Sequence, residues 1–243
     1  MMGSIVWLSP NDPVDSFPPV ESALHEPDGL LAAGGDLSAA RVLAAYRRGI
    51  FPWYSRGQPI LWWSPDPRAV LVPSEIRVSR SLAKSIRNRG FETRFDSAFA
   101  AVISACGSTT VRPDGTWLSA EMREAYIELH ELGFAHSVET WLEGRLVGGL
   151  YGIAIGRMFF GESMFSLERD ASKVALKFLC DQLREHDCPL IDCQMATSHL
   201  LSLGAKLMPR AEFVVHVATL TRTPSAGPWD NGAARATGTS YHT

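Results

Sequence analysis

Apolar residues along this chain recur with two different periods, and the switch between them outlines a fold. Val42, Leu43 and Tyr46 give an apolar side to a helix that Ser38 can cap and Gly49 stops. A second helix is expected from Ser79, with Arg80, Lys84 and Arg87 on one face at i, i+4 and i+7 and Arg89 just beyond. A third runs from Ser119 to Leu132, with Met122, Tyr126 and Leu129 facing inward and Gly133 as its stop. The period then falls to two. The stretch AHSVETWLEGRLVGGLYGIAIGRMFFGESMF, with turn signals at Glu143-Gly144 and Ile155-Gly156, reads as three antiparallel strands. A helix follows from Asp170 at its N-cap, with Ala175, Phe178, Leu179 and Leu183 at helical spacing. After it come an LIDCQ strand, a short helix around His199–Leu203 and a last strand, FVVHVATL.

The order helix, strand meander, helix, strand, helix, strand is α+β with a mixed sheet. It resembles the layout of GCN5-related acetyltransferases, in which the acyl donor binds where two central strands splay apart; that likeness is one of fold level. Ahead of it, Pro-, Gly- and Trp-dense chain reads as a small N-terminal domain over residues 1–70 that packs against its neighbour rather than folding alone. Residues 71–221 then form the larger domain. The Thr/Gly/Ala-rich segment 222–243 is expected to be a disordered tail.

Composition narrows the function classes. The 243 residues are 46% hydrophobic, enough for a sizeable core, and carry a formal net charge of −3. Binding of nucleic acid through bulk positive charge is therefore not expected, while a local basic patch stays open. Four cysteines, Cys106, Cys180, Cys188 and Cys193, show neither a CxxC pair nor zinc-ligand spacing, so reduced thiols and no metal are expected. Pro10, Asp12, Pro13 and Asp15 break up the start of the chain, and no apolar run approaches the roughly 20 residues that span a bilayer. The expectation is a soluble, cytoplasmic protein with no membrane contact, and a monomer.

Three features carry candidate chemistry. Glu162 lies inside an apolar strand, where a carboxylate needs a partner: an internal salt bridge or a cationic ligand. Trp53, Trp62, Trp63 and Trp117 sit in Gly/Pro-rich segments; they are core residues or stacking surfaces for nucleobases, the second reading being helped by the basic helix at Arg80, Lys84 and Arg87. At the end of the LIDCQ strand, alternation puts Asp192 and Gln194 on one face and Cys193 on the other, toward the core. The pleat argues against Cys193 as a nucleophile assisted by His199, and no G-x-S-x-G elbow supports a serine triad. An Asp/Gln pair suits proton handling and oxyanion donation; it also suits satisfying loop backbone at a strand end.

The motifs EPDGLLAAGGDLS, AYRRGIFPWY, PILWWSPDPRAVL, GTWL, LHELGFAHSVETW, LVGGLYG, FFGESMFS, DASKVAL, LIDCQ and SLGA, in this order from about Glu26 to Arg210, resemble the leucyl/phenylalanyl-tRNA–protein transferase family. The resemblance implies a small N-terminal domain joined to an acetyltransferase-like domain, with no metal and no coenzyme. It implies transfer of Leu or Phe (Met less well) from Leu-tRNA or Phe-tRNA to the α-amine of proteins beginning with Arg or Lys, marking them for degradation. The family's terminal-adenosine contacts fall on Trp53 and Trp117. Its pocket for the transferred side chain falls on Leu150, Phe159, Met164, Leu179 and Ile191. Its acidic residue falls on Glu162, its catalytic pair on Asp192 and Gln194, and its acceptor-stem contacts on Arg80, Lys84 and Arg87. Family members often have Met where Leu150 stands and Phe where Leu179 stands, which bears on the preference between Leu and Phe.

On this reading Asp192 anchors the amine and takes its proton, directly or through Gln194, which also orients the ester carbonyl. Glu162 meets the cationic side chain of the acceptor or holds the pocket. Two other classes compete. An acetyl-CoA enzyme needs a Gly-rich loop for the diphosphate, and the corresponding SLERDAS segment has no glycine and two acids. A non-catalytic RNA- or N-terminus-binding adaptor would have no use for Asp192 and Gln194.

Overall fold

The computed structural model describes residues 5–108, 118–224, 227–229 and the strand 239–240. The N-terminal region folds as β1 (Val6–Leu8), β2 (Leu30–Gly34), α1 (Ala39–Tyr46), β3 (Phe51–Pro52) and β4 (Leu61–Trp63), with the four strands ordered β1-β2-β4-β3. Its short strands are held by buried polar anchors. The Trp62 indole is fully buried, stacks edge-on against Phe17 and donates to the Gly34 carbonyl. The equally buried Arg41 guanidinium pairs with Asp36 and donates to the Asp12 carbonyl, tying the first loop down.

The larger sheet begins with β5 (Arg68–Leu71), a strand that straddles the boundary expected at residue 70. Then follow α2 (Arg80–Asn88), β6 (Glu92–Phe95), α3 (Phe99–Cys106), α4 (Ala120–Glu131), β7 (Ala135–Leu142), β8 (Arg145–Ile155) and β9 (Met158–Ser166). The chain continues through α5 (Ala171–Glu185), β10 (Leu190–Gln194), α6 (Ser198–Ser202), β11 (Lys206–Met208), α7 (Arg210–Leu220) and β12 (Thr239–Ser240). The eight strands are ordered β11-β5-β10-β9-β8-β7-β6-β12, and β9 and β10 are the parallel pair in an otherwise antiparallel sheet. This is the expected α+β architecture with a mixed sheet. One face carries α5 on Leu150, Phe159 and Ile191; the other packs α3, α4 and the N-terminal region into a single core that includes Tyr46, Tyr126, Phe160 and Phe165.

Several expectations hold at the level of caps. The hydroxyls of Ser79 and Ser119 accept from the amides of Leu82 and Met122. Ser38 precedes α1 as expected but caps through no side-chain hydrogen bond. The expected last strand FVVHVATL is instead the helix α7. Phe213, Val217 and Leu220 recur at i, i+4 and i+7 and face the core, whereas Val215 is exposed, so the period is helical despite the β-branched content. Part of the segment expected to be a disordered tail is packed: the Trp229 ring stacks on His136 and reaches Phe159.

Candidate functional site

Two strand irregularities open a cavity in the centre of the large sheet. The parallel pairing of β9 and β10 ends at Phe160 opposite Asp192, while β9 runs on to Ser166, so the strands part there. On β9, Tyr151 faces Ser163 and Gly152 faces Gly161, which leaves Glu162 as the extra residue of a β-bulge. The bulge reverses the alternation. Phe160 and Glu162 point to the α4 side, and Met164 is thereby delivered to the α5 side with Phe159. Gly152 is required opposite: a Cβ there would lie 2.2 Å from the Phe160 carbonyl oxygen. A second bulge on β10 lies between Asp192 and Gln194, where Gln194 takes a φ of 54°.

The resulting cavity has a volume of about 400 Å³. Its apolar part is walled by Leu150, Phe159, Met164, Leu179 and Ile191, the five residues assigned to a transferred side chain, together with Leu176. Trp53 stands at its wall, 37% exposed and edge-on to Trp63. Trp117 lies outside the described residues. Arg80, Lys84 and Arg87 are exposed along α2, away from the cavity lining.

The polar end of the cavity is a ring of oxygens. Tyr46 and Tyr126 donate to the two carboxylate oxygens of Glu162 at 2.6 and 2.8 Å, and their own hydroxyls lie 2.7 Å apart. Gln194 Nε2 donates to Glu162 Oε1 at 2.9 Å. Three oxygen–oxygen contacts close the ring: with Glu162 ionised both hydroxyls point at its oxygens, and with Glu162 protonated its own proton completes the set. Burial pushes the Glu162 carboxyl up to about 7, against the lowering effect of the tyrosine hydroxyls and with help from the Asp192 charge. The same burial and the Glu162 charge hold Tyr46 and Tyr126 far above the usual phenol range, so both remain donors.

Asp192 is placed differently. It is fully buried and takes a two-pronged contact from Arg68, Nε to Oδ1 at 2.8 Å and Nη2 to Oδ2 at 2.7 Å. Arg68 also donates to the Gly49 carbonyl and lies between the rings of Phe51 and Phe213. Asp192 Oδ1 accepts the Gln194 backbone amide at 2.8 Å, so the carboxylate fixes the strand end that carries Gln194 and lines no part of the cavity itself. The salt bridge weighed for Glu162 thus belongs to Asp192. The sequence missed Arg68, Tyr46 and Tyr126 as site residues; Tyr46 and Tyr126 read as helix core positions, which they also are.

Cys193 faces the α5 core as the pleat requires, and the residue also lines the cavity. Burial and the neighbouring Asp192 charge push the thiol well above its usual range, which opposes a thiolate nucleophile. Asp96, His130 and His136 offer ligand atoms within 4.8 Å of one another. Three of their ring nitrogens are already committed, however: His130 Nδ1 to the Ala135 carbonyl, His136 Nδ1 to Asp96 and its Nε2 to the Gly133 carbonyl. The trio is a hydrogen-bonded hub that a metal would have to dismantle.

The description "Leucyl/phenylalanyl-tRNA protein transferase" matches residues 70–218, and that of the corresponding N-terminal domain matches residues 35–66. The chain belongs to this family. The leucyl/phenylalanyl-tRNA–protein transferase of Aromatoleum aromaticum is 61% identical over 93% of this chain and 94% of its own length. That of Thiobacillus denitrificans is 62% identical over 88% of this chain and 94% of its own length. Among solved structures, a GCN5-related N-acetyltransferase from Kribbella flavida aligns with a TM-score of 0.36 at 12% identity, over 69% of this chain and 59% of that one. Within the family frame, the apolar cavity with one titratable carboxyl at its end is the candidate active site. Among the described residues no helix is long and apolar enough to cross a membrane.

Proposed function

We propose that this protein transfers leucine or phenylalanine, and methionine less well, from aminoacyl-tRNA to the α-amine of proteins that begin with Arg or Lys, forming a peptide bond and marking them for degradation in the cytoplasm. Aminoacyl transfer from tRNA to protein is what the family name describes. The observation that carries the reading at the level of chemistry is the joining of an apolar cavity of about 400 Å³ to the Glu162–Gln194 end.

Leu150, Phe159, Met164, Leu179 and Ile191 receive the aminoacyl side chain, Trp53 stacks on the terminal adenine with Trp117, and Arg80, Lys84 and Arg87 meet the acceptor stem. The ester is already activated, so no ATP or coenzyme is needed. The acceptor amine has an ordinary pKa of about 7.7–8.0 and is roughly a quarter neutral near pH 7.4. Its nitrogen attacks the ester carbonyl carbon, and the carbon–oxygen bond to the ribose breaks. Ionised Glu162, whose carboxyl is poised near 7, takes the amine proton and passes it on to the departing ribose oxygen, so no net proton is consumed. Gln194 orients the ester, and Asp192 acts through it as a positioning residue. Most of the acceleration then comes from holding ester and amine together.

A single-turnover assay tests this: labelled Leu-tRNA with an Arg-initiated peptide, beside a Met-initiated peptide and an acetyl-CoA control. Label on the Arg peptide alone is expected. Bound tRNA without transfer would make the protein a recognition module, and acetylation would overturn the donor.

A further inference from the structure

A second cavity, of about 420 Å³, adjoins the first at His199 on α6. Ser81 from the first turn of α2, Arg169, Ser172 and Lys173 line it, and His199 is the residue that lines both cavities. The His199 imidazole is half-buried and has no hydrogen-bond partner among the described residues; the residue bonds Ser202 and Leu203 through its backbone carbonyl. Burial, reinforced by the nearby Lys173 charge, lowers its pKa, so at neutral pH it presents one free donor and one free acceptor.

Two acids, Glu168 and Asp170, also line this space, but each is engaged. Glu168 accepts from Arg89, and Asp170 accepts from Ser85 and Lys173. Arg169 is 79% exposed beside them, and exposed Arg80 adjoins Ser81 on α2. Arg169 and Lys173 both contact Asp170, so with Glu168 matched by Arg89 the lining keeps one cation in excess beside hydroxyls and a neutral imidazole. The SLERDAS loop lacks the glycines that wrap a diphosphate, but one excess cation matches the single charge of a phosphodiester. An aminoacyl ester is bonded directly to its ribose. With the acyl side chain in the first cavity, the sugar has to leave past a wall of that cavity, and His199 is a wall with polar space behind it.

We propose that this second cavity holds the sugar–phosphate backbone immediately behind the aminoacylated nucleotide, with Lys173 and Arg169 meeting phosphate and His199 hydrogen-bonding the backbone where it passes from one cavity to the other. The proposal rests on aminoacyl-tRNA being the donor.

Its test compares two donors in steady-state transfer: Leu-tRNA, and the leucyl ester of adenosine, which has no phosphodiester. The variants are Arg169→Ala, Lys173→Gln, His199→Ala and His199→Gln, each checked by thermal melting; Arg169 is exposed enough to survive substitution. Arg169→Ala combined with Lys173→Gln should raise KM for Leu-tRNA by about tenfold. It should leave kcat, and KM for the adenosine ester, unchanged. The slope of log Kd for tRNA against log salt should fall by about 0.7 for each phosphate that the variant no longer neutralises. His199→Ala should also weaken Leu-tRNA use, and His199→Gln should restore most of it. Equal losses with both donors, or no loss with either, would overturn the proposal. A wild-type protein that uses neither donor would instead sink the transferase reading, and the salt slopes alone would then decide whether the cavity binds RNA.

Discussion

Two carboxyl groups meet at Gln194, and the fold treats them in opposite ways. Asp192 is sealed in the core with a matched guanidinium and a backbone amide, a fixed negative charge with its counter-ion. Glu162 has three hydrogen-bond donors but, among the described residues, no paired cation, and it stands at a cavity wall. The first arrangement holds a shape; the second stores a proton that can be moved. The difference teaches that the acid most deeply embedded in the site is not the one positioned to do its chemistry.

Breaking the Asp192 side should have the largest effect. Asp192→Ala leaves Arg68 buried without its partner and frees the Gln194 amide, at a cost of about 3–5 kcal/mol in denaturant unfolding. Replacing both partners, Arg68→Met with Asp192→Leu, should cost less than Asp192→Ala alone, because no charge is then stranded. A milder stability loss for the single variant would show that water reaches Arg68.

Glu162→Gln should separate activity from stability. Transfer to an Arg peptide is expected to fall about a hundredfold or more, with tRNA affinity nearly kept and the protein folded. Stability should respond to pH with a definite sign. The folded carboxyl holds its proton up to about 7, whereas the unfolded group releases it near 4.5. The folded state therefore binds more protons between these values, and stability falls as pH rises through that window and levels off above 7. Glu139, pushed to about 7 by burial in its serine cage, adds a second contribution of the same sign. Glu162→Gln should remove its own share, at most about 1.4 kcal/mol per pH unit.

Tyr126→Phe sharpens the contrast on a smaller scale. It deletes a hydrogen bond that lowers the Glu162 pKa, so the carboxyl should titrate above 7 and transfer at neutral pH should fall several-fold, recovering at higher pH. Smallest of all, Cys193→Ser should leave transfer within about threefold of wild type, since the thiol is held protonated by burial. A profound loss would restore the nucleophile reading.

Much of the fold could be read from periodicity: α2 and α4 carry local serine caps, and the β7–β9 meander and α5 are long and regular. α7 was hidden because Val214, Val215 and Val217 favour strands while their spacing, anchored by Phe213 and Val217 in the core, is helical. Short strands such as β6 and β11 lack enough residues for a period. In the site, the apolar pocket was legible because the family motifs mark it residue by residue. The partners of its acids were not. Arg68 and Asp192 are 124 residues apart, and Tyr46 and Glu162 are 116 apart, so only tertiary pairing shows which carboxyl gets the cation. Nor does simple alternation reveal a bulge, and it is the bulge at Glu162 that sends the acid to one side of the sheet and Met164 to the other.

The measurement that tests this account most directly is the titration of the Glu162 side chain itself, by carbon-13 NMR of labelled glutamate with Glu162→Gln as the assignment control. A midpoint near pH 7 is expected, with a further rise in Tyr126→Phe. A midpoint near its ordinary 4.5 would mean the oxygen ring holds a plain carboxylate, and Glu162 could then anchor a cation but not carry the proton the mechanism assigns to it.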